Sequence, residues 1–125
     1  MTQANNPRHI SELRDIGRRA LRFVNRQKDS GTRIIFEELL KQASIDKRNI
    51  RGYHEEEFTH VAVAAMLASG AADAGFGIKA AASKFGLHFI PILEESYVLA
   101  IDRRIADIYV AELKKCCVVK VLKRK

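Results

Sequence analysis

The sequence predicts an α/β fold, a three-layer sandwich with a mostly parallel central sheet. Three observations carry this. Short apolar, β-branched runs alternate with amphipathic or Ala-rich stretches of about ten residues, the pattern of strand–helix–strand units. Gly, Ser, Asn and Asp clusters separate them where turns are required. Of 125 residues, 47% are hydrophobic and 30% charged, which suits one globular domain with a real core.

Residues 1–10 read as a flexible, polar lead. Ser11, Glu12 and Asp15 predict a short helix ending at Gly17, since a Ser cap and early acids suit a helix start. Residues 21–26 read as a strand and 27–31, Gln-Lys-Asp-Ser-Gly, as a turn. Ile34, Ile35, Phe36, Leu39, Leu40 and Ala43 recur at helical spacing. A connector follows, with a short strand at Ile50–Tyr53. Thr59–Ser69 is a helix whose close-set Ala and Val predict tight packing on the sheet, and Gly70 ends it. Ala71–Gly75 is a strand, Ile78–Phe85 a helix stopped by Gly86, and Leu87–Ile92 and Tyr97–Ile101 are strands. The domain is therefore expected over 11–102. A C-terminal helix from Asp102 to about Lys114 and a basic tail complete the chain through 103–125, with an apolar run at Cys116–Leu122.

Composition excludes several classes. The two Cys are adjacent, so no disulfide framework or four-ligand zinc site is expected. Met1–Pro7 lacks an apolar core and no run reaches the roughly 18 residues needed to span a bilayer, so no membrane association is expected. The expected location is cytoplasmic, with reduced thiols. Net charge is +7, concentrated in residues 8–28 and the last twelve residues. A basic balance suits an anionic partner. Without interleaved aromatics, solvated surface is the simpler reading of both ends, and nucleic acid the second.

The stretch Asn25-Arg26-Gln-Lys-Asp-Ser-Gly-Thr-Arg33 follows a strand and opens a helix, where unpaired N–H groups and the helix dipole favour negative charge. Gly31 allows close approach, Ser30 and Thr32 add hydroxyls, and Arg26 and Arg33 add forked cations. This is a candidate seat for a small oxyanion or carboxylate, although Ser30 and Gly31 could serve only the cap and the turn. It lacks P-loop spacing. Gly75-Phe-Gly77 could bring Gly77 to the same cleft, since ligands of open α/β sheets sit beyond the C-terminal strand ends. His60 is read first as a local packing or capping residue and second as a cleft residue. His9, His54 and His88 lack metal spacing, and Glu55-Glu56-Glu57 is read as solvated loop. Ser30 and the two Cys lack a neighbouring base, so no catalytic residue is assigned.

In Arg22-Phe-Val-Asn-Arg-Gln27, Ser30-Gly-Thr-Arg33, Gly52-Tyr53, Phe58-Thr-His-Val61, Ala68-Ser-Gly-Ala-Ala-Asp-Ala-Gly75, Gly77-Ile78, Gly86-Leu87, Phe89-Ile-Pro91, Glu95 and Tyr97, the chain resembles type II periplasmic-binding-protein-like domains. The resemblance is to the second lobe only. It is closest to the cytoplasmic branch fused to molybdopterin-biosynthesis proteins and helix-turn-helix regulators. It covers residues 6–101 in order.

The resemblance implies a non-catalytic oxyanion-binding module with a sensing or delivery role in molybdenum or tungsten metabolism. Molybdate and tungstate are the leading ligands, with sulfate and phosphate as analogues, and no cofactor is expected. The implied contacts are Ser30, Gly31, Thr32 and Arg33, with Asn25, Arg26, Gly77 and Tyr97. Asp29 stands where the family usually has Gly. A two-lobe binder needs about twice this length. A lone lobe is expected to present an open half-site, completed by self-association or by a separate first-lobe chain. A nucleic-acid-associated regulatory domain and a self-associating partner lobe remain the alternative functions.

Overall fold

The computed structural model describes residues 1–18 and 21–96. Met1–Leu93 form one compact unit and Glu94–Lys125 a second. The strand expected at 97–101, the helix from 102, the Cys116–Leu122 run and the basic tail lie outside the described residues.

Three parallel strands form the sheet, in the order β2-β1-β3. β1 is Phe23–Arg26, β2 is Glu56–Glu57 and β3 is Ala74–Gly75. Asn25 and Arg26 pair with Glu56 and Glu57, and Phe23 and Val24 pair with Ala74 and Gly75. β1 is buried along its whole length, as a central strand covered on both faces must be. Its side chains alternate between two cores. Phe23 joins Ile16 of α1 (Asp15–Arg18) and Phe36 and Leu40 of α2 (Gly31–Gln42), with the Phe23 and Phe36 rings stacked at 5.0 Å. Val24 joins Val63, Ala64 and Leu67 of α3 (His60–Ala68) and Ala81 and Ala82 of α4 (Lys79–Lys84). Helices thus cover both faces, the three layers expected from the sequence.

The helices follow the sequence pattern closely. α3 packs as tightly as its small residues predict: a Cβ on Gly75 would lie 2.6 Å from Val63 Cγ1. α1 differs in its cap. Ser11 does not cap it; the Asp15 carboxylate reaches back to accept from the N–H groups of Ser11 at 2.8 Å and Glu12 at 3.2 Å.

Three expectations are corrected. Met1, Thr2 and Ile10, within the stretch expected as a flexible lead, are buried in the lobe. Met1 and Gly75 exchange backbone hydrogen bonds, and Thr2 bridges antiparallel to both Ala74 and His88. Because Thr2 occupies the free edge of β3, residues 87–92 pair only through His88 and form no strand. The strand expected at Ile50–Tyr53 is a 3-10 turn at Lys47–Asn49 followed by the Gly52 bend, and pairing falls on β2, inside the acidic run read as loop. The backbone decides this: Phe23, Asn25 and Gln27 donate to the carbonyls of Arg51, Glu55 and Glu57.

Two contacts lock the frame. Gly52 has φ +88, and a Cβ there would lie 2.0 Å from Phe23 O. Asp73 accepts from the Arg22 backbone at 2.9 Å and from its guanidinium at 3.0 and 3.2 Å, closing the entry to β1 against the entry to β3. The Arg22 hydrogen bond holds the Asp73 carboxyl below its ordinary value.

Gly52→Ala is expected to cost on the order of 3 kcal/mol or more in urea unfolding, because strain and a backbone clash coincide; a cost below about 1 kcal/mol contradicts this. Asp73→Asn is expected to flatten the acid limb of the pH–stability curve. The depressed carboxyl contributes stability that is full above its unfolded value of about 3.9 and is lost as pH falls through its folded value. An unchanged acid limb rejects that role.

Candidate functional site

Each of the three strands runs into a helix N-terminus at the same, C-terminal edge of the sheet. From β1 the turn at 27–30 leads to Ser30, the N-cap of α2. Its Oγ accepts from Arg33 N at 3.2 Å and donates to Gln27 O at 2.9 Å. The next N–H groups, on Gly31 and Thr32, have no intrahelical acceptor, and the helix dipole gives them partial positive charge. A Cβ on Gly31 would meet nothing within 4 Å, so the space beside this residue is open.

From β2 the chain reaches Thr59, which caps α3 by accepting from Ala62 N at 3.0 Å, and then His60. Thr32 Oγ1 lies 3.5 Å from His60 Nε2, so two helix N-termini meet side chain to side chain. From β3 the chain passes Gly77. A Cβ there would lie 2.5 Å from Met1 Cε and 3.3 Å from His60 Nδ1. Gly77 therefore stands beside the Thr32–His60 contact, its missing side chain leaving room for Met1 and His60.

Arg26 is the last residue of β1. It is only 9% exposed, and one Nη donates to Phe58 O at 3.0 Å. Among the described residues its Nε is buried without a partner, as are His60 Nδ1 and Gln27 Oε1. Burial, and secondarily the positive charge of Arg26, hold the His60 ring below its ordinary pKa. The junction of β1, α2 and α3 thus holds one buried cation with an unpaired donor, one hydroxyl, one imidazole and two free backbone N–H groups.

Two expected contacts take other roles. Arg33, expected to supply charge, is 2% exposed and turned inward. Its Nε donates to Glu37 at 2.8 Å, one Nη to Arg26 O at 3.0 Å and to Glu56 at 3.2 Å, and the guanidinium lies 4.4 Å from the Tyr53 ring centroid. The Tyr53 hydroxyl also donates to Glu37 at 2.9 Å, and with Arg33 it holds that carboxyl below its usual range. Arg33 is consumed by tying α2 to β1 and β2. Asn25 is fully buried, donating to Tyr53 O at 3.1 Å and accepting from Arg26 N at 3.0 Å. Tyr97 lies outside the described residues.

His60, expected first as a local packing or capping residue, follows the Thr59 cap after β2 as Gly31 follows the Ser30 cap after β1, and it meets Thr32.

Thr32 and His60 place a hydroxyl beside an imidazole, and among the described residues nothing hydrogen-bonds to His60 Nδ1. Among the described residues no group of three His, Cys, Asp or Glu side chains could hold a metal ion, and no helix is long and apolar enough to cross a membrane. A separate apolar cavity of about 40 Å³, lined by Ile10, Ile16, Phe23, Phe36 and Phe76, belongs to the α1–α2 core.

His60 predicts a pH response. Its folded pKa lies below the unfolded value of about 6.5, so the unfolded chain takes the proton first as pH falls. Stability is full above 6.5, declines between 6.5 and the folded value, and then levels. His60→Gln is expected to remove that decline in a pH series of thermal melts; its persistence assigns the decline elsewhere.

The family model described as the PBP superfamily domain matches residues 1–117. An uncharacterized protein of Bacillus subtilis, YvgK, is 34% identical over 102 residues, covering 82% of this chain and 33% of that protein. An uncharacterized Clostridium pasteurianum protein, from the 5′ region of a 2Fe-2S ferredoxin gene, is 37% identical over 75 residues, 56% of this chain and 63% of that one. The chain thus spans about a third to two thirds of the length of these relatives. No solved structure matches. With three parallel strands feeding helix N-termini at one edge and the family match spanning nearly the whole sequence, the chain belongs to the PBP superfamily domain family.

Proposed function

We propose that this chain is a non-catalytic binding lobe for a small oxyanion, with a sensing or delivery role. The observation that carries the reading is the Thr32–His60 contact at the N-termini of α2 and α3, with the buried Arg26 Nε unpartnered among the described residues and open space beside Gly31. Helix N-termini and a buried guanidinium favour negative charge, and donors of this kind are best satisfied by an acceptor-rich ligand. Gly31, Thr32 and Arg26 hold the anion in this reading, and His60 flanks it. Ser30 and Arg33 keep the helix end in place.

Molybdate and tungstate are the ligands implied by the likeness to lobes associated with molybdopterin biosynthesis, and sulfate and phosphate share their tetrahedral geometry. A single lobe covers such an anion from one side, so affinity rises when a second lobe, on a first-lobe chain or another copy, closes over it.

Thermal melts with molybdate, tungstate, sulfate or phosphate against chloride, at matched ionic strength, test this. Binding to the folded state raises stability by about 2.7 kcal/mol at 100 times Kd, a shift of several degrees. A selective rise that Thr32→Ala or Arg26→Gln removes, each judged against its own chloride melt, is expected. Equal melts in all anions, or a rise unaffected by both substitutions, reject the site.

A further inference from the structure

Among the described residues, the large apolar side chains most open to solvent are Ile34, Phe58, Val61, Ile78, Ile92 and Leu93. Four of these six sit at the edge that carries the anion seat. Ile34 lies in the first turn of α2, three residues after Gly31. Phe58 and Val61 flank Thr59 and His60 at the start of α3, and Ile78 is the N-cap of α4, next to Gly77. Phe58 is 74% exposed, and its own carbonyl accepts from the Arg26 guanidinium at 3.0 Å. Among the described residues the most exposed aromatic ring thus belongs to the residue whose backbone carbonyl accepts from the buried cation.

Single exposed apolar residues need no explanation, but a concentration around a polar seat does. A bare inorganic oxyanion uses N–H groups and a cation and gains nothing from hydrocarbon. A ligand with an anionic head and an apolar body uses both, the usual composition of small-molecule sites: mostly apolar walls with a few placed polar groups.

Resting on the anion-binding reading above, we infer that the ligand is an organic oxyanion carrying an apolar or aromatic group. Its head sits at Gly31, Thr32 and Arg26 and its body lies against Phe58 and its apolar neighbours. Inorganic oxyanions fill the head position alone.

Calorimetric titration with phenyl phosphate, inorganic phosphate and phenol, on the full chain and on Phe58→Ala, tests this. Phe58 is exposed, so the variant folds, and its melting temperature checks that. Phenyl phosphate is expected to bind at least about tenfold tighter than inorganic phosphate, phenol to bind negligibly, and Phe58→Ala to collapse that ratio to about one. Equal affinities in the parent chain overturn the inference and leave the inorganic reading standing. If neither phosphate binds, both readings fail. Equal affinities together with concentration-dependent self-association that Phe58→Ala abolishes, seen by sedimentation, overturn the inference and assign the rim to a second copy.

Discussion

The parallel pairing of β1 with both of its neighbours is the constraint on which the rest depends. Parallel strands end at a common edge, and each here turns at once into a helix, so the N-termini of α2, α3 and α4 share that edge. The connection from β1 to β2 runs to one side of β1, and the connection from β2 to β3 returns across it to the other. Strand order in open α/β sheets places crevices at such reversals. Thr32 and His60 lie 28 residues apart in sequence yet touch, because of this pairing.

Charge inside the lobe is divided between two tasks. Arg22 and Arg33 are satisfied by carboxylates: Asp73 for the first, Glu37 and Glu56 for the second. Both pairs fasten one sheet neighbour to another element and stand in a hydrogen-bonded, partly desolvated setting where losing one partner leaves the other stranded. Arg26 differs. Among the described residues its guanidinium is bonded to a backbone carbonyl, its Nε has no partner and no carboxylate pairs with it.

Much of this was legible in the residues. Periodicity located α2, α3 and α4, the Ser30 and Thr59 positions announced their helix starts, and the strand–Gly–helix pattern placed Gly77 near the same edge. What escaped shares a physical cause. Arg33 has the composition of a ligand contact, but its direction is set by Glu37 one turn later, by Glu56 and by Tyr53 across the fold, and local spacing does not reveal such partners. β2 lies in Glu55-Glu56-Glu57, which has no strand-like hydrophobicity; backbone hydrogen bonds to β1 make it a strand. The first residues are polar as a string, yet Met1 and Thr2 pair by their backbones with the free edge of β3, an edge that exists only after folding.

The central claim is that the N-terminal ends of α2 and α3 form one anion seat. The most direct measurement is a titration of backbone amide resonances with inorganic phosphate at constant ionic strength. Saturable shifts concentrated at Gly31, Thr32, His60 and Val61, together with a rise in the His60 ring pKa as the anion stabilises its charged form, are the result this account predicts. Shifts spread over exposed basic residues such as Lys28, Arg48 and Lys79, growing without saturation while Gly31 and His60 stay in place, would contradict it.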